Sequence, residues 1–193
     1  MSLLIIGLVL FLGTHSVRIL AEGWRGQMLT RLGPLGWKAG YSIIALTGLI
    51  LIVMGYASAR TQPLELWPAT TAARHLASLL TLAAFILLTA AYVPGNRIRA
   101  RLRHPMVLGV KLWAAAHLFS NGTLADLVLF GSILIWAILD FRAARIRDRV
   151  SGAGAGATGL LSRDLIVIAA ALALWWLFAF HLHARWIGVS PMG

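Results

Sequence analysis

No cysteine occurs anywhere in the 193 residues. That excludes disulfides, thiolate metal sites, iron–sulfur clusters and cysteine nucleophiles. Charge is also scarce: 12% of residues are charged and only six are acidic. Six carboxylates, mostly at the ends of apolar runs, leave little room for paired-carboxylate acid–base chemistry. G-x-S-x-G, P-loop, dinucleotide and H-E-x-x-H signatures are absent as well. What is abundant is apolar. Hydrophobic residues make up 60% of the chain, with mean hydropathy +0.83, whereas soluble domains are roughly 45–50% apolar and about 25% charged. The composition is that of a membrane protein, and the lipid bilayer is its first expected partner.

Six apolar spans are predicted. The first covers residues 2–20, about the ~20 residues a crossing needs; without a basic n-region or a small-residue cleavage site it reads as an anchor. A polar loop with Arg25, Arg31, Pro34 and Lys38 leads to the second span, 39–57, whose Gly40, Gly48 and Gly55 suit close helix packing in lipid. Residues 58–73 read as an interfacial turn anchored by Trp67. The third span, 75–93, ends at Pro94-Gly95-Asn96. The fourth is short, from Pro105 to Ser120, and Asn121-Gly122 then breaks the helix. Thr123 and Asp126 have capping-box spacing and open the fifth span, 124–141, so the fourth and fifth form an antiparallel hairpin. A glycine-rich linker, 151–159, precedes the sixth span, 165–184. The expected fold is an all-α, single-domain membrane bundle over residues 1–193.

Most of the 17 basic residues fall in the loops after spans one, three and five. By the positive-inside rule those loops face the cytoplasm and both termini face outward. This segregation accounts for the net charge of +11 without nucleic acid as a partner.

Histidines are the only plausible reactive set: His15, His75, His104, His117, His181 and His183. His15 and His117 lie inside apolar helices, where ionisable groups are expensive and usually functional. Imidazoles on separate membrane helices suggest axial haem ligation. A zinc or copper site would want three or four converging ligands. By helical rise His15 lies roughly 20 Å below the outer end and His117 roughly 18 Å above the inner one, so the two differ by roughly 8 Å in depth across a ~30 Å core. His75 and His104 sit at span ends, and His181 and His183 occupy different faces of the last span. His104, His181 and His183 stay open as alternative ligands. Arg18 and Lys111 are candidate partners for haem propionates, which are anions that need charged or hydrogen-bonding neighbours when partly buried.

The run RHPMVLGVKLWAAAHLFSNGTLADLVLFGSILIWAILD, with the opening GTHSVRIL, resembles the NnrU family of bacterial membrane proteins, over about residues 1–190. R-H-P, W-x-x-x-H-L and N-G-T-x-A-D carry the likeness. The resemblance implies a bacterial inner-membrane location and an association with nitrite and nitric oxide reduction, hence denitrification. The sequence is also similar to zeta-carotene isomerases, membrane proteins that use a b-type haem to isomerise a carotene double bond. Carried over, their haem ligands fall on His15 and His117, the metal-binding pair. Their cysteine three residues before the second ligand is Ala114 here, which excludes a thiol ligand switch. A weaker likeness is to membrane methyltransferases of the isoprenylcysteine type, which share R-H-P; Val107 replaces their tyrosine and no Glu-Glu pair occurs.

The expectation is a multi-pass haem b protein with isomerase-like or redox chemistry on a lipophilic or small-molecule substrate, or in support of nitrogen-oxide metabolism. The alternatives are a membrane methyltransferase and a non-catalytic assembly factor.

Overall fold

A computed structural model describes residues 1–152 and 158–191. Most of the expected linker 151–159 lies outside the described residues. Among the described residues eight α-helices follow one another: α1 Ser2–Leu20, α2 Glu22–Ala59, α3 Thr71–Tyr92, α4 Arg97–Leu102, α5 Pro105–Ser120, α6 Leu124–Ser151, α7 Leu161–Leu177 and α8 His183–Ile187, with a π-helical turn, Phe178–Leu182, before α8. Among the described residues there is no strand, only two isolated β-bridges.

The helices pack as a row. α2 lies on α1, α1 on α6, α6 on α5, α5 on α3 and α3 on α7. Large apolar side chains along the row are exposed, including Ile43 (66%), Leu79 (67%) and Ile135 (62%). Such a surface is consistent with a lipid bilayer around the bundle. Among the described residues five helical stretches are long and apolar enough to cross a membrane: α1, α2, α3, α6 and Leu161–Ile187. α5 has 16 residues and rises ~24 Å, less than the ~30 Å hydrocarbon core.

Small residues set the α1–α2 contact. A side chain on Gly55 would collide with the Leu4 backbone, and one on Gly48 with the Phe11 nitrogen, whereas Gly40 faces open space. Two of the three glycines expected to pack closely therefore do so.

Residues 22–38 are helical and not a loop. α2 begins at Glu22 and is interrupted only at Gly33 (φ 69°, ψ 167°) before Pro34. Proline removes a backbone donor and disfavours helix in the residue before it, so the break falls where the chain cannot propagate. The Trp24 ring meets Trp37 across it at 5.7 Å.

The other expected boundaries are seen. Gly95 takes a positive φ of 70°, and the buried Asn96 side chain accepts from Arg99 N at 2.6 Å while donating to Ala90 O at 2.8 Å. Asp164, at the start of α7, accepts from Arg97 N at 2.7 Å and Ile98 N at 3.3 Å. α4 thus begins with its free amides satisfied from two directions. Thr123 and Asp126 form the reciprocal capping box at the start of α6. Gly122 is needed at the preceding turn, because a Cβ there would run into the Trp67 carbonyl. Its own carbonyl accepts from Leu66 N at 2.7 Å and Trp67 N at 3.2 Å, tying residues 58–73 to the α5–α6 turn.

The basic segments gather at one end of the bundle. Arg147 Nη1 reaches the Arg18 carbonyl at 3.4 Å, Arg103 and His104 meet Asp148, and Arg97 Nε donates to Gly159 O at 3.2 Å. At the opposite end Arg60 Nη1 donates to Ile187 O at 2.8 Å, linking α2 to α8.

Candidate functional site

His15 and His117 are held in the same way on different helices. His15 Nδ1 lies 2.7 Å from the Phe11 carbonyl on α1, and His117 Nδ1 lies 2.8 Å from the Trp113 carbonyl on α5. Both partners are four residues upstream, where a helical histidine reaches its own backbone. A carbonyl can only accept, so each Nδ1 carries the proton as its donor. In the neutral ring that fixes the tautomer and leaves Nε2 as the nitrogen able to bind a metal. Anchoring of this kind orients metal-binding imidazoles.

Aromatic rings surround both. The His15 ring centroid lies 4.3 Å from Phe11, 5.3 Å from Tyr41 on α2 and 5.8 Å from Trp136 on α6. His117 stacks on Phe130 of α6 at 4.6 Å with 29° between planes, and Trp113 lies 4.8 Å away. Both histidines therefore touch α6, one at Trp136 and one at Phe130. Six residues of helix separate these contacts by ~9 Å along the axis, close to the offset expected from the sequence. The Trp136 indole N–H is buried with no hydrogen-bond partner among the described residues. A buried donor of this kind needs an explanation, and it lies beside His15.

Beyond His117, at the end away from the arginines, a polar cluster closes the bundle. The Tyr56 hydroxyl donates to Asp126 Oδ1 at 2.5 Å. Asp126 Oδ2 accepts from Thr123 N at 2.9 Å and Thr123 Oγ1 at 2.6 Å. The carboxylate is 5% exposed and both its oxygens are engaged, so its charge is offset by three donors. Sequence spacing revealed the capping box but not Tyr56, which is 70 residues away in the chain.

The R-H-P motif has a mechanical role at the basic end. Arg103 has a positive φ of 64°, an uncommon conformation for a residue with a side chain. The turn brings His104 Nε2 to 2.9 Å and Arg103 Nη1 to 3.5 Å from Asp148 Oδ2 on α6. Burial raises the Asp148 pKa, but hydrogen bonding and charge from His104 and then Arg103 outweigh it and hold the carboxyl below the ordinary carboxylate value. His104 is therefore engaged in joining α5 to the far end of α6.

The remaining candidates are dispersed. His75 is exposed on α3 and His181 is exposed against Trp176. His183 Nδ1 is 2.7 Å from Val189 O. Arg18 is 4.0 Å from Glu22, with both side chains at least half exposed. Lys111 Nζ lies 4.9 Å from the centre of the Phe141 ring. Among the described residues no three His, Asp or Glu side chains come together as an ion-holding group, so the zinc- or copper-type constellation has no support here.

Comparison with curated proteins and with solved structures gives no match. A family model described as NnrU protein matches residues 3–191, and on that span, nearly the whole chain, the protein belongs to the NnrU family.

Proposed function

We propose that this NnrU family member is a multi-pass membrane protein that binds a b-type haem through His15 and His117. The observation that carries the reading is the matched anchoring of the two rings: each donates Nδ1–H to its own helix and keeps Nε2 free, inside helices that face lipid. The donor set fits haem iron in kind, since two imidazoles and no thiolate are what a b-type haem takes. The orphaned Trp136 N–H beside His15 offers a donor to a bound group. Lys111 has no carboxylate partner among the described residues and Arg18 only a long contact with Glu22. Both lie toward the basic end from the histidines and are the proposed partners of the haem propionates.

A bound haem would supply electron transfer or Lewis-acid chemistry. The chain contributes ligand orientation, aromatic walls that exclude water, and an apolar surround open to lipophilic or small-molecule substrates. Membership of the NnrU family supports a role in nitrite and nitric oxide metabolism in the bacterial inner membrane, and isomerase-like or redox chemistry is proposed on the sequence likeness to zeta-carotene isomerases. The test is the absorption spectrum of protein purified from cells supplied with haem. Sharp low-spin bands in the reduced state and extractable haem b support the reading. Protein that is folded yet colourless, and that takes up no haem on reconstitution, overturns it.

A further inference from the structure

The four arginines at 97, 99, 101 and 103 are expected from the positive-inside rule, but their arrangement goes beyond it. Where α3 ends and α5 begins, an open pocket is lined by Ala91, Arg99, Arg103, His104, Met106 and Val107. Arg99 donates to the neutral Ala91 carbonyl at 3.2 Å and so keeps its full charge. Asp148 is the one described carboxylate near Arg103 and His104, and it is divided between them. The site is thus left with net positive charge. The first turn of α5 lines the pocket and has no side-chain cap. Leu108 N is already bonded to His104 O, but the Met106 and Val107 amides have no described partner. Guanidinium groups and an uncapped first helical turn lining one pocket are chemistry suited to a tetrahedral anion.

We infer that this pocket binds a phosphate group, carried by an anionic lipid headgroup or present as free phosphate. Its position, between helices at the basic end of a membrane bundle, is where basic pockets hold anionic headgroups. The inference is independent of the haem reading, since it uses neither His15 nor His117.

Native mass spectrometry of the full chain, released from vesicles of mixed phosphatidylglycerol and phosphatidylcholine, tests it. The wild type should retain one phosphatidylglycerol in preference to phosphatidylcholine, and Arg99→Gln should lower that retention roughly tenfold, as loss of a charge-assisted hydrogen bond implies. Arg99→Lys should restore part of it. Arg101→Gln, outside the pocket, should behave as wild type. If inorganic phosphate displaces the lipid or binds alone, the pocket is a phosphate site and free phosphate is its source. No preference for either phosphatidylglycerol or phosphate, or equal losses in Arg99→Gln and Arg101→Gln, would mean diffuse surface charge and overturn the inference.

Discussion

At the scale of single residues, two buried or half-buried carboxylates hold the ends of the bundle. Tyr56→Phe removes the donor to Asp126 Oδ1 and leaves that oxygen buried without its partner. The expected cost is about 1–3 kcal/mol, read as a lower thermal midpoint in detergent with the helical spectrum of the folded protein unchanged. Asp148 makes a pH prediction. Its carboxyl is held below the ordinary value in the folded protein, so the unfolded chain binds a proton first as pH falls. The stabilisation is complete above about pH 4, the ordinary carboxylate range, and is lost as pH drops through the lower folded value. The thermal midpoint should therefore fall with acidification below about pH 4, and Asp148→Asn should flatten that fall. An unchanged pH profile in Asp148→Asn would show that the His104–Arg103–Asp148 contact contributes nothing to stability.

At the scale of elements, the packing of α1 on α2 depends on glycine at particular positions and not on glycine content. Gly55→Leu places a side chain against the Leu4 backbone, where neither helix can yield without separating. Overpacking typically costs about 1–3 kcal/mol, and backbone contact puts this substitution at the upper end or beyond. Gly40→Leu meets nothing and should stay within about 0.5 kcal/mol of wild type. Comparing thermal midpoints of the two variants checks the interface directly. The elements also show what the sequence makes readable. Local signals held: Thr123–Asp126, Pro94-Gly95-Asn96 and Asn121-Gly122 each act through neighbours within a few residues, and the boundaries they mark are present. The helical start of α2 was hidden because polar and basic composition reads as loop, and Pro34 reads as part of that loop and not as a break within a helix. Tyr56 with Asp126, and His104 with Asp148, were beyond reach because the partners are 70 and 44 residues apart and on different helices. Nothing in spacing reports such a contact. His15 and His117 stand out in the sequence as two costly side chains in apolar helices, whereas the contact each makes with α6 required the packing order of the row.

For the whole molecule, the segregation of charge becomes geometry: arginines from three separate segments meet at one end, while Tyr56, Asp126 and Arg60 gather at the other. We expect the basic end to face the cytoplasm and both termini to face outward, with α5 crossing as the short member of a hairpin with α6. Reporter fusions after Lys38, Arg103 and Arg149 should report cytoplasm, and fusions after Arg60 and Gly193 the outer side. A cytoplasmic C-terminus would mean that one helix does not cross, and α5 would be the first to doubt because of its length. Haem binding through His15 and His117 is tested most directly by the reduced absorption spectrum of wild type beside His15→Ala and His117→Ala. Ligation by this pair predicts a sharp low-spin α-band in the wild type that is lost or shifted in each variant. A wild-type spectrum in both variants would contradict it.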